Sequence, residues 1–283
     1  MKTVILILVS LLLSTAWSDI AWATGISIDA GLTPPQNRWI LRSQVRYMKR
    51  DHDPTPMQRE MTSYLFPVVV AYGLRSDLTV MMRQIVRRNE MSMITGNSSQ
   101  SGFADLLLMT KFRMLRINLP GYTLGVAPTI GLEMPIGAEA FSSNTWDLRL
   151  GCFVSGRIRE WGFDCNLAYA WNGMIKTAGS NLDPGHEFSL EAALGVQIGL
   201  GKEALLAVAP VLETSYRRTR ADVADGQKVN NTGESVFLLS PGIKLTRSSL
   251  IWEFLAQFPV WQKQEGEQLE RAAALLAGVR FMY

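Results

Sequence analysis

Between Gly121 and Gly137 the chain reads GYTLGVAPTIGLEMPIG, and every even position is apolar: Tyr122, Leu124, Val126, Pro128, Ile130, Leu132, Met134 and Ile136. The odd positions, Thr123, Gly125, Ala127, Thr129, Gly131, Glu133 and Pro135, are small or polar. A period of two held for about fifteen residues is a strand with one apolar face and one wet face. Strands of soluble proteins usually run about 5–6 residues, whereas a tilted membrane crossing takes about 9–11. Taken alone, the segment fits a membrane crossing or a long sandwich strand equally well, and the rest of the chain decides.

The same rhythm recurs along the sequence. Residues 38–50 set Trp39, Leu41, Val45 and Tyr47 against Arg38, Arg42, Gln44, Arg46 and Arg50. Residues 62–72 carry Tyr64, Phe66, Val68, Val70 and Tyr72 on one face, and 78–88 carry Leu78, Val80 and Met82. Residues 103–115 oppose Leu106, Leu108, Phe112 and Met114 to Asp105, Lys111 and Arg113. Further alternating segments span 146–158, 161–171, 188–200, 204–216, 235–245, 250–260 and 269–283, which brings the count to about twelve strands. The connections alternate too. Short ones fall near 74–76, 116–121, 159–160, 201–202 and 247–249, and long ones near 51–60, 89–101, 137–144, 175–186, 219–233 and 263–268.

An even strand count with loops sorted by length predicts an all-β fold, a transmembrane antiparallel up-and-down β-barrel with short periplasmic turns and longer extracellular loops. A sandwich has no reason to sort its loops, and in hydrocarbon an unpaired strand edge is too costly, so the sheet must close. Pro67, Pro128, Pro210, Pro241 and Pro259 fall inside predicted strands. Each removes a ladder donor, and local bulges or bends are expected there.

Composition adds the compartment. Lys2, an apolar run over residues 4–13 and Ala21-Trp22-Ala23 have the three parts of a cleaved export signal. The expected organisation is a signal peptide over 1–23, an N-terminal periplasmic segment over 24–35 and a barrel over 36–283, located in a bacterial outer membrane. Aromatic residues gather at predicted strand ends, among them Trp39, Tyr72, Trp146, Trp161 and Trp171, where interfacial girdles lie. The final strand ends on Phe281 and Tyr283, a pattern resembling the C-terminal signal read by the barrel-assembly machinery. The other expected partners are outer-membrane lipid and small-molecule solutes. A formal charge of +3 is too small to argue for nucleic acid.

The wet faces carry the candidate chemistry. The lumen-lining residues predicted for the early strands are Arg38, Arg42, Arg46, Arg50, Arg83, Arg87, Asp105, Lys111 and Arg113; those for the middle strands are Glu133, Asp147, Asp164, Glu187, Glu191 and Glu213. A mostly basic arc facing a mostly acidic one creates a transverse field across the lumen, or alternatively fills it with paired charges. No Cys/His cluster has metal-ligand spacing, no glycine-rich motif cradles phosphate, and no cofactor is expected. Catalysis needs a histidine beside a nucleophile. Of His52 and His186, only His186 has serines nearby in sequence, Ser180 and Ser189, and a solvated loop histidine is the plainer reading. Cys152 and Cys165 fall on outward faces of neighbouring strands, opposite each other if Arg157 pairs with Glu160 and diagonal if Ile158 pairs with Trp161. Two lipid-facing thiols are expected in preference to a strained cross-strand disulfide.

Three pieces carry a family likeness: Tyr72-Gly73-Leu74, Gly102-Phe103-Ala104-Asp105-Leu106 leading to Lys111-Phe112-Arg113-Met114-Leu115, and Gly131-Leu132-Glu133-Met134-Pro135-Ile136-Gly137. In order and spacing they resemble the outer-membrane transporter family named for the meta-pathway of phenol degradation. Ala104, Phe112 and Ile136 depart from that family's usual Gly, Tyr and Thr. The resemblance implies a non-enzymatic barrel channel for small aromatic or hydrophobic compounds. A barrel lipid or ester hydrolase with a rim histidine, and a plugged structural or receptor barrel, are the alternatives.

Overall fold

The computed structural model describes residues 24–177, 180–200 and 206–283. The expected signal peptide over 1–23 and the expected turn at Gly201-Lys202 lie outside the described residues. In chain order the strands are β1 (Trp39–Asp51), β2 (Glu60–Arg75), β3 (Leu78–Met93), β4 (Gly96–Phe103), β5 (Leu106–Phe112), β6 (Leu115–Leu119), β7 (Tyr122–Met134), β8 (Asp147–Ile158) and β9 (Trp161–Trp171). There follow β10 (Ile175–Thr177), β11 (Ser180–Asp183), β12 (Glu187–Val196), β13 (Ile198–Leu200), β14 (Leu206–Thr219), β15 (Val223–Ala224), β16 (Gln227–Lys228), β17 (Glu234–Arg247), β18 (Leu250–Gln264) and β19 (Glu270–Met282).

Strands β4, β5 and β6 are successive pieces of one stave, as are β12 and β13, so the wall has twelve staves, each antiparallel to its neighbours. The ring closes where β1 pairs with β19, from Ile40↔Met282 to Asp51↔Glu270. Closure leaves no free edge, which is what permits a sheet to stand in lipid. The outer face carries large exposed apolar side chains all round, including Leu41, Val68, Met82, Leu108, Ile130, Leu150, Leu167, Leu190, Leu212, Phe254 and Val279. In water such a band would be an aggregation surface; against acyl chains it is the solvated face. The chain is an all-β outer-membrane barrel, as the alternation predicts.

The loop sorting holds with two corrections, the smaller being that most of the connection expected near 116–121 is strand β6, which pairs with β7 up to Leu119↔Tyr122. Residues 89–101 are no long loop: β3 runs on to Met93 and pairs with β4 from Val86↔Phe103 to Met93↔Gly96. The extension stands beyond the apolar band, so Asn97-Ser98-Ser99-Gln100 needs no apolar face and shows no hydrophobic period. Two of the long loops also acquire structure, for β10, β11, β15 and β16 join residues 175–183 and 223–228 into a separate four-stranded sheet.

All five prolines sit where a ladder is interrupted. Pro128 faces the break between β5 and β6, where Lys111↔Thr129 gives way to Leu115↔Val126 with one extra residue on the β5–β6 side. Pro259 lies at a register shift between β17 and β18. Pro67, Pro210 and Pro241 fall where pairing to one neighbour lapses without a change of register.

The β8–β9 turn takes the second of the two registers open from the sequence. Ile158 pairs with Trp161, Val154 with Cys165 and Cys152 with Leu167, so the two cysteines are diagonal, and both are free. Alkylation of the detergent-solubilised protein without reductant is therefore expected to add two labels by mass spectrometry, and an unlabelled, oxidised pair would overturn this register.

Candidate functional site

The lumen is not empty. Residues 24–34, most of the segment expected over 24–35 to lie in the periplasm, run inside the barrel instead, with Ile26 fully buried and Thr24, Ile28, Leu32 and Thr33 nearly so. A single extended segment brings backbone donors and acceptors into a confined space, and all of them need partners. The wall supplies these from side chains. On one side, Asp164 accepts the Gly25 N–H at 2.7 Å and Ser155 Oγ accepts the Gly31 N–H at 2.7 Å. Glu213 accepts the Ile26 N–H, the Ser27 N–H at 3.0 Å and the Ser27 hydroxyl. The cations and amides serve the carbonyls. Lys111 Nζ donates to Ala30 O at 2.7 Å and Leu32 O at 2.9 Å, Lys244 Nζ to Thr24 O at 2.7 Å, Arg280 to Gly25 O at 3.1 Å, and Gln44 to Ile26 O at 3.1 Å. Of the charged residues read from the sequence, Asp164 and Glu213 meet the plug's amides and Lys111 its carbonyls, while Lys244 and Arg280 join from outside the predicted arcs.

Shape completes the fit. The small inner face of β7 exists because the plug lies on it: a Cβ at Gly125 would come within 2.6 Å of a Leu32 methyl. On the plug, a Cβ at Gly31 would meet the Phe153 carbonyl oxygen at 2.5 Å. Ile26 and Ile28 then pack with Ala193, Val211, Leu255 and Leu276 as a buried apolar cluster inside the lumen.

Below the plug's β1 side, Arg42 and Arg280 both pair with Glu253, at 3.1 Å and 2.5 Å. Glu253 is 0% exposed, and Gln44 adds a hydrogen bond to it at 3.1 Å. Toward the long-loop end the inner wall carries a second set of charged side chains, more exposed than this triad, which we call the vestibule. There Arg149 pairs with Glu133 at 2.5 Å, Arg50 with Glu234 at 3.2 Å, and Arg217 with Glu187 and Glu191 at 3.5 and 3.8 Å. Arg46 donates to Gln44 at 2.7 Å, Arg83 is half-buried, and Arg87 lies 6.0 Å from the Phe141 ring centroid.

A sequence model of the family described as "Putative MetA-pathway of phenol degradation" matches residues 31–259. The chain belongs to this family. Among solved structures, an outer membrane channel from Pseudomonas putida F1 superposes with a TM-score of 0.71 at 13% identity, covering 92% of this chain and 100% of that one. The β domain of the Bordetella autotransporter BrkA superposes with a TM-score of 0.51 at 8% identity, covering 87% of this chain and 99% of that one. At these identities both likenesses concern the fold. A search of curated proteins finds no match.

The structure sorts the predicted lumen residues of this family member into four groups and leaves Arg38 outside them. Lys111, Asp164 and Glu213 hold the plug backbone, and Arg113 holds its Thr33 hydroxyl at 2.7 Å. Arg42 belongs to the buried triad, while Arg46, Arg50, Arg83, Arg87, Glu133, Glu187 and Glu191 line the vestibule. Asp105 and Asp147 instead tie loops: Asp105 accepts from the Gly137 and Ser143 N–H groups, and Asp147 from the Gly173 N–H and the Thr145 hydroxyl. Arg38 precedes β1 and is exposed. Glu253, Arg280 and Lys244 were missed, although each sits between outward apolar residues and could be found by extending the alternation to the last three staves. His186 packs against Tyr169 and Trp171 with centroids 5.9 and 5.4 Å away, and its Nδ1 accepts the Asn172 N–H at 3.3 Å, an environment that gives the ring a packing role. Among the described residues, no group of three or more His, Cys, Asp or Glu could hold a metal ion.

One loop outside the wall has its own anchor. Asp53 accepts from the Arg59 guanidinium at 2.7 Å, and from the Arg59 and Thr55 amides at 2.7 and 3.1 Å. The Arg59 side chain, with these amides, holds the Asp53 carboxyl well below the usual carboxylate range. A depressed carboxylate contributes stability that is present above its unfolded value and is lost as pH falls through the folded one. Loop 52–59 is therefore expected to stay closed at mildly acid pH. Asp53→Asn should open it to proteolysis at neutral pH with the barrel intact, and equal cleavage rates for the two proteins would refute this.

Proposed function

We propose that the chain is a passive channel for small aromatic or hydrophobic solutes in the outer membrane, closed at rest by residues 24–34 and entered through the charged vestibule. The observation that carries this reading is how the plug is held. Its polar contacts are side-chain hydrogen bonds, whereas the wall is a continuous backbone ladder. An element fastened in this way opens at a smaller free energy than the sheet around it. Family membership adds the solute class, since the family takes its name from phenol degradation, and the similar Pseudomonas putida protein is itself titled an outer membrane channel. The outward C-terminal residues Phe281 and Tyr283 fit a role in delivery to the barrel-assembly machinery.

The test is conductance of the purified protein in a planar bilayer, with and without phenol or benzoate. Discrete openings modulated by the aromatic solute are expected, with Arg83→Glu shifting the selectivity of those openings toward cations. A bilayer that remains silent under both conditions, together with unchanged solute entry into proteoliposomes, would overturn the reading.

A further inference from the structure

We infer that the cavity between the plug and the β1–β3 side of the wall is a binding site for a small monocarboxylate. The cavity has a volume of about 80 Å³ and lies in the half of the lumen nearer the short turns. Most of its lining is apolar, from Ile28, Val69, Met81, Met109 and Phe153. Three polar side chains in that lining, Arg42, Thr79 and Arg280, are unfinished, the last at its Nε. Arg42 is 8% exposed and Thr79 2%, yet Arg42 Nη2 and Thr79 Oγ1 have no hydrogen-bond partner among the described residues. A buried donor left without an acceptor is costly, and several such donors lining one cavity mark a place for a missing group.

Charge and donor chemistry define that group. Arg42, Lys111, Arg280 and Asp29 line the cavity, and Glu253 pairs with both arginines. At the cavity itself, three cations against two carboxylates leave one positive charge. The complement is a monoanion. Guanidinium only donates, and a carboxylate only accepts. The apolar lining suits a hydrocarbon tail and disfavours a fully hydrated ion such as sulfate. In size, the cavity equals about two to three water volumes of ~30 Å³, enough for a carboxylate with one or two carbons. A longer acid would place only its head here and would have to displace Ile28 or Leu32 of the plug. The inference concerns binding, which needs no flux, so its fate is separable from that of the channel reading.

The experiment titrates the full-length protein in non-ionic detergent with acetate, octanoate and the neutral isostere acetamide, read by calorimetry. Saturable one-to-one binding of a carboxylate without binding of acetamide is expected. Thr79→Val preserves shape and charge and is expected to weaken that binding about tenfold, the effect of one hydrogen bond to a charged group. Arg42→Lys, which keeps the charge and loses the fork, should weaken it as well, with retained heat-modifiable mobility on gels showing that both variants fold. Tighter binding of octanoate than acetate assigns the site to the head of an amphipathic acid; the reverse order assigns it to a free short-chain acid. Acetate and acetamide binding alike would mean a polar cavity with no selection for a carboxylate. That result, absence of carboxylate binding, or an affinity unchanged in folded Thr79→Val would each overturn the inference.

Discussion

Glu253→Ala is expected to cost this barrel about 3–5 kcal/mol of stability, the usual penalty for removing one partner of a buried charge pair. The carboxylate is the shared anion of Arg42 and Arg280 and accepts from Gln44, and all four side chains are buried in the lumen. Without it, two guanidinium groups face each other across β1, β18 and β19, the staves that close the ring. The effect should appear as an unfolding midpoint at lower denaturant concentration in detergent, followed by heat-modifiable gel mobility. A graded series distinguishes charge from packing. Glu253→Gln keeps the shape and one acceptor and should lose less. Replacing Arg42, Glu253 and Arg280 together by Met should lose less than Glu253→Ala, because exchanging a whole buried ionic cluster for apolar side chains is often close to neutral. If Glu253→Ala unfolds like the parent, the triad is not holding the seam.

The wall could be read from the chain because a membrane barrel repeats one rule at every residue. Lipid faces Leu41, Val68 and Ile130, and the lumen faces Arg42, Val69 and Gly131, so period two survives without any interference from core packing. The rule fades where its cause does. Past Arg88 both faces of the β3–β4 hairpin meet water, and Asn97-Ser98-Ser99-Gln100 reads as a loop although the backbone pairs throughout. The inner face of β7 was legible as small and polar, but its reason was not. Gly125 and Ala127 are small because Leu32 and its neighbours lie against them, a contact across more than ninety positions that no local period encodes. The plug itself is the extreme case. Ile26 and Ile28 alternate with Ser27 and Asp29 over too few residues to stand out, and the segment pairs with side chains rather than with a strand. The two charged arcs were visible, yet their role could be assigned only once a peptide was found between them.

From that arrangement follows the second large effect. Deleting residues 24–34 with residues 1–23 retained is expected to raise ion conductance at least about tenfold, because a twelve-stranded wall lies between barrels filled by side chains and barrels wide enough to carry an aqueous channel. The wall should survive the loss. Its ladders run without the plug from β1 round to β19, and the groups that bound plug backbone, including Lys111, Asp164, Glu213 and Lys244, are charged and would be rehydrated in an open lumen. What is lost is the apolar cluster around Ile26 and Ile28, which leaves Ala193, Val211, Leu255 and Leu276 facing water, so a lower unfolding midpoint should accompany the open state. Glu213→Ala gives the intermediate case. It removes the acceptor of the Ile26 and Ser27 amides and the Ser27 hydroxyl, each buried donor being worth about 1–3 kcal/mol when stranded. Brief openings on a mostly closed background are expected from it, read as short current steps in a planar bilayer. Conductance of the deletion variant equal to that of the parent would show that a second constriction, rather than residues 24–34, limits the lumen.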